Sequence, residues 1–241
     1  MDWGKAKNIL IVALLVTNLV LLGTYVLRET QRFGADDDDT LRRILTEYKV
    51  FIETELPKQP GPMAVLYVRP ETEDGALIEE ALAEQAPIPN EDREAMLRAA
   101  NAVLERCGFM TENTKPLTPP ETEGGETILR YRNMFGDIPI EESYILCTIR
   151  DGRVAKLSRK WYTPLELHDT RGKIIKPIEA LMQLLPEKDK EEALIVRDVE
   201  LVYRVNPDRP GVESFVGDTA LPAWKITDSN GSVSYVDAYA Q

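Results

Sequence analysis

The sequence predicts an α+β protein: an N-terminal transmembrane helix followed by two small units, each an antiparallel sheet with a helix packed on one face. Three observations predict it. An apolar stretch from Ile9 to Leu27 holds no Asp, Glu, Lys, Arg or His. Beyond it, segments of helical and strand periodicity follow in the order helix–strand–strand–strand, over 91–161 and again over 174–238. Two turn signals, Asp151-Gly152 and Ser229-Asn230-Gly231, each close a hairpin within such a run. The expected division is a cytoplasmic tail at 1–8, a signal anchor at 9–27 and an acidic linker at 28–39. A first extracytoplasmic unit follows at 40–165 and a second at 166–241.

As a helix, Ile9 to Leu27 spans about 28 Å, close to the hydrocarbon thickness of a bilayer. A cleaved signal peptide is the rival reading, but Tyr25-Val26-Leu27-Arg28-Glu29 offers no small-residue cleavage pattern. No Cys follows the stretch until Cys107, which excludes a lipoprotein anchor. Lys5 and Lys7 sit just before the helix, so the positive-inside rule keeps the short tail in the cytoplasm. The soluble part then lies outside. Within the anchor, Ala13, Thr17, Val20 and Thr24 fall on one helical stripe, with Asn18 beside it. Small residues let transmembrane helices pack closely, and an amide in lipid seeks a partner helix. These five residues are the candidate partner-binding face. The bland alternative is that Thr17 bonds to its own helix and Asn18 is tolerated.

Leu41, Ile44, Leu45, Tyr48 and Ile52 share a face, which predicts a helix over 40–55. Asp36 to Asp39 precede it, where negative charge suits a helix start. A calcium site is the sharper reading of those aspartates, but no EF-hand spacing follows. Pro57, Pro60 and Pro62 end the helix, and Met63 to Val68 reads as a strand. A short helix is expected over 76–83. A clear one follows over 91–106, with Asn90 as its cap and Gly108 as its terminator. Residues 111–125, rich in Pro, Thr, Glu and Gly, read as a loop. Strands are expected at 127–134, 142–150 and 153–161, a helix at 174–185, and strands at 199–205, 223–227 and 233–238. Trp224 is expected to be buried among Ile178, Leu181 and Tyr203.

The net charge is −12. Lys5, Lys7, Arg28 and Arg32 against Asp2 and Glu29 give the first 33 residues +2, so residues 34–241 carry −14. Such a domain is poorly suited to nucleic acid. The only histidine, His168, lies in a stretch read as a loop. No His, Cys and carboxylate cluster has metal-ligand spacing, and neither a Gly-rich phosphate loop nor a G-x-S-x-G elbow is present. No cofactor, metal or catalytic residue is therefore assigned. Cys107 and Cys147 suit either a disulfide or two small buried hydrophobes.

Two parts of the chain resemble the YycI family. One is the opening, Met1-Asp2-Trp3-Gly4-Lys5-Ala6-Lys7-Asn8-Ile9, running into the anchor. The other is a C-terminal set: Ile175 to Leu181, Val199 to Tyr203, Leu221 to Ile226, and Ser234 to Ala238. The closing strand departs from the family pattern at Asp237, where Asn is usual. The resemblance implies a bacterial, single-pass, non-enzymatic regulator. Its implied partners are a YycH-like companion and a membrane sensor histidine kinase that controls cell-wall metabolism. Contact would run through transmembrane helices and extracytoplasmic surfaces. Two other classes stay open: a tethered envelope- or ligand-binding module, and an enzyme or protease-inhibitor-like domain acting outside the membrane.

Overall fold

The computed structural model describes residues 14, 17–18, 38–72, 75–88, 92–186, 192–205 and 218–240. Helix α1 covers 38–47. Strands β1 (Val50–Ile52) and β2 (Met63–Glu71) lead to α2 (Gly75–Ala83) and α3 (Arg93–Arg106). Next come β3 (Thr114–Pro116), β4 (Glu121–Glu123), β5 (Glu126–Phe135), β6 (Ile138–Arg150) and β7 (Arg153–Gly172). The last elements are α4 (Pro177–Gln183), β8 (Leu194–Val205), β9 (Asp218–Asp228) and β10 (Val233–Asp237).

The expectation of two separate antiparallel sheets is overturned. The ten strands among the described residues belong to one mixed sheet, ordered β1-β8-β9-β2-β7-β6-β5-β3, with β10 beside β9 and β4 beside β5. The β1–β8 ladder and the β6–β8 bridge are parallel. Two features join what the sequence reading separated. Strand β2 inserts between β9 and β7, tying an early segment to the last third of the chain. Strand β7 runs on to Gly172, so residues 165 and 166 are consecutive positions of one strand. The pairings β8–β9–β2–β7–β6 then close on themselves through the bridge Ile140↔Tyr203.

The helices cover two cores. One contains Leu45 of α1, Ile178 and Leu181 of α4, and Leu66, Tyr203, Trp224 and Ile226 of the sheet. The other joins α2 and α3 to β5, β6 and the first half of β7 through Ile78, Val103, Leu104, Tyr131, Ile145 and Cys147. Trp161 belongs to the second core, whereas its neighbour Tyr162 packs against the first. Successive strand residues point to opposite faces, so β7 separates the two cores.

Local chemistry sets the element ends. Asp92, and not Asn90, caps α3, its Oδ1 accepting the Ala95 N–H at 2.7 Å. Gly108 ends that helix at φ +69°, with Gly108 N–H bonded to Glu105 O and Phe109 N–H to Leu104 O. These are the two bonds of a Schellman motif, and Phe109 and Leu104 are both buried in the same core. Asp151 and Gly152 both have positive φ, as the tight β6–β7 hairpin requires. Helix α4 starts at Pro177 instead of Ile174, because Lys176, preceding a proline, is extended at φ −68°, ψ 151°. The stretch read as a loop over 111–125 contains β3 and β4.

No helix among the described residues is long and apolar enough to cross a membrane. The N-terminal helix expected over 9–27 is thus not seen there: that segment lies outside the described residues, apart from Leu14, Thr17 and Asn18, which are helical.

Candidate functional site

The site begins with a bulge. Arg132 of β5 faces Tyr144, but the next residue, Asn133, faces Ile140. Glu141, Glu142 and Ser143 of β6 therefore loop out of the ladder. Here β6 parts from β7 and meets β8. Side chains replace the lost backbone pairing on both sides. The Tyr162 N–H donates to Ser143 Oγ at 3.0 Å. Asn133 Nδ2 donates to Tyr162 O at 2.7 Å and to Ser143 Oγ at 3.0 Å. Both side chains belong to fully buried residues. Toward β8, Glu142 Oε2 accepts the Val205 N–H at 2.7 Å. Burial pushes the Glu142 carboxyl above its ordinary range, although the Val205 N–H and Arg204 pull against it.

Glu141 turns the other way, into a charged network. It accepts from Lys225 Nζ and from the Tyr235 hydroxyl, the latter at 2.9 Å. Arg132 approaches it at 3.8 Å while forking onto Glu200 at 2.8 and 2.6 Å. Burial, then the charge of Glu141, pushes the Tyr235 phenol up. The Arg204 guanidinium stacks 4.3 Å from the Tyr235 ring centre. Above the network lies a cleft of about 480 Å³, rimmed by Leu117, Glu121, Arg130, Asp198 and Val233. Arg132, Lys225, Glu141 and Glu200 neutralise one another, and Ser143 Oγ serves as an acceptor for two N–H groups. The arrangement can orient a polar ligand; its carboxylates already face cations and its serine already has a structural task.

The residues picked from sequence lie elsewhere. Of Ala13, Thr17, Asn18, Val20 and Thr24, only Thr17 and Asn18 are described, both helical and exposed; the other three lie outside the described residues. Asp38 pairs with Lys176 at 2.8 Å, Asp39 is exposed on α1, and Asp36 and Asp37 lie outside. No group of three or more metal-binding side chains occurs among the described residues. His168 is exposed on β7, not in a loop, with Nδ1 accepting the Thr170 N–H at 3.0 Å. Cys107 and Cys147 are free, buried thiols of the α3 core. Burial, with Cys107 nearby, pushes Cys147 up to about 12. Sequence reading missed Arg132, Glu141, Glu200, Lys225 and Tyr235. A trace was present in β5, where Arg130 and Arg132 alternate with Leu129 and Tyr131, as in a strand with one wet face.

No protein-family profile matches the chain, and no curated protein matches it. Among solved structures, the chain is similar to an uncharacterized protein from Eubacterium rectale ATCC 33656. The two share a TM-score of 0.50 at 10% identity, over 80% of this chain and 89% of that one. At that identity the likeness concerns the fold alone.

Proposed function

We propose that this chain is a membrane-anchored extracytoplasmic regulator of a two-component sensor histidine kinase controlling cell-wall metabolism, acting with a YycH-like companion. The reading rests on the resemblance of the opening residues and the C-terminal blocks to the YycI family. One structural observation supports it. The C-terminal blocks that carry the resemblance, on α4 and its lead-in, β8, β9 and β10, meet in one core: Ile175, Ile178 and Leu181, Val199 and Tyr203, Trp224 and Ile226, and Val236. Helix α1, which follows the anchor and linker, packs Leu41 and Leu45 into that same core. A displacement of the anchor would thus be passed, through packed side chains, to the core that holds the C-terminal blocks of the resemblance. The test is co-purification of the full chain with the sensor kinase from membranes, alongside output from the kinase's regulon. Loss of output on deleting this gene, together with co-purification, supports the reading; neither effect would defeat it.

The cleft over Glu141 favours a second reading, a tethered module that binds a polar envelope ligand. Under it, replacing the anchor by an unrelated transmembrane helix leaves function unchanged.

A further inference from the structure

A second, smaller cleft lies between α1 and α4, and its charge is opposite to that of the domain. Arg42, Lys58 and Lys176 line it, with Asp38 the one anion among the lining residues. Leu56, Pro57, Pro177 and Ile178 supply apolar walls around about 220 Å³. Lys176 is held by Asp38 at 2.8 Å. Arg42 and Lys58 are exposed, and neither makes an ion pair among the described residues. Asp39, exposed on the same helix, does not line the cleft. Among the lining residues three cations stand against one carboxylate, a surplus of +2 that Glu179, whose Oε2 accepts the Lys176 N–H at 2.9 Å, reduces toward +1, within residues 34–241 that carry −14. A cleft of one sign with low-dielectric walls concentrates its field on ions of the other sign.

We propose that this cleft binds a phosphate group, presented by an anionic lipid headgroup or by a free phosphate ester. Size and charge both point there. The volume is below the roughly 300 Å³ at which sites for drug-sized ligands begin, and so suits a small group. A phosphate monoester carries between about −1.5 and −2 at neutral pH, which the cleft's surplus approaches, and a diester headgroup asks for less. Arg42 presents a planar fork for two phosphate oxygens, Lys58 adds a flexible point charge, and Lys176 is positioned by Asp38.

The experiment is lysine acylation of the full chain read by mass spectrometry, with exposed Lys115 and Lys156, far along the sheet, as internal references. Four conditions are compared: detergent micelles, micelles with glycerol 1-phosphate, and nanodiscs of phosphatidylcholine without and with phosphatidylglycerol. The expected result is acylation of Lys58 slowed roughly five-fold by glycerol 1-phosphate, by phosphatidylglycerol, or by both, about the effect of one cation at an anionic surface. Slowing only with phosphatidylglycerol identifies the lipid as source; slowing only with glycerol 1-phosphate identifies a soluble ester. Arg42→Glu, on the solvent side of α1, should abolish the protection. Unchanged Lys58 acylation in every condition, equal slowing at Lys115 and Lys156, or full protection in Arg42→Glu would each overturn the proposal.

Discussion

Trp224 Nε1 donates to the carbonyl of Ile175 at 3.2 Å, so the one aromatic of β9 is tied to the backbone just before α4. The indole itself has no exposed surface and sits among Ile178, Leu181 and Tyr203, as its sequence setting predicts. Trp224→Ala should cost roughly 3–5 kcal/mol, by lost burial and the cavity left behind. Trp224→Phe should cost less while still losing the hydrogen bond. Chemical denaturation measures both, and no loss in the Ala variant would mean that the indole is not part of the core.

Arg132 and Glu200 fork together across β5 and β8 with side chains 19% and 32% exposed. Removing one partner strands the other in a partly desolvated place, so Arg132→Ala should destabilise by roughly 1–3 kcal/mol. The double variant Arg132→Ala with Glu200→Ala should lose less than the sum of the two single changes. Additive losses in the cycle would mean that the pair contributes nothing as a pair.

Gly172 lies against the ring of Tyr239, and a Cβ there would sit 2.5 Å from both Cδ1 and Cε1. The ring's hydroxyl donates to Met63 O at 3.3 Å, so swinging the ring aside would break that bond. Gly172→Ala should therefore cost roughly 1–3 kcal/mol as an overpacking change. Adding Tyr239→Ala should remove most of that increment. Thermal denaturation of the four proteins reads the coupling directly.

Glu71 sets a pH dependence. Burial raises its carboxyl, but hydrogen bonds from the Thr163 hydroxyl and Arg159, with the charges of Arg159 and Arg69, outweigh it and hold it below the usual carboxylate range. Arg159 is itself clamped between the rings of Phe109 and Trp161, at 4.3 and 5.1 Å. A depressed native pKa contributes stability that is present above the unfolded value and is lost as pH falls through the native one. The melting temperature of wild type should therefore fall more steeply than that of Glu71→Gln as pH drops below about 4. Parallel curves for the two proteins would show that Glu71 is not linked to folding.

Most elements were legible because their signals are local. The apolar period of α3, its terminator Gly108 and the Asp151-Gly152 turn depend on neighbours a few positions away. The closing hairpin is legible for the same reason, and there Gly231 has φ +81°. What the sequence does not display is which strand lies beside which. Ladder partners such as Leu66 with Ala220 are far apart in the chain, and the apolar run Met63–Val68 is the same whether its neighbour is β7, β9 or both. That is why one sheet was read as two. The second half of β7 was missed for a different reason. Residues 165–170 are all exposed, and register shifts against β2 break their pattern. The Glu141 network was hidden because its five residues come from β5, β6, β8, β9 and β10, and only the bulge at 141–143 brings them together.

The central claim, regulation of a sensor kinase through the anchor, is tested most directly by one pair of substitutions. Thr17→Leu with Asn18→Leu keeps the segment apolar while removing the groups proposed to contact a partner helix. Co-purification with the kinase from membranes is then compared with wild type. One interhelical hydrogen bond is worth about 0.6–2 kcal/mol, so recovery of the kinase should fall roughly three- to thirty-fold, with the soluble domain still folded. Undiminished recovery would place the contact elsewhere and contradict the account.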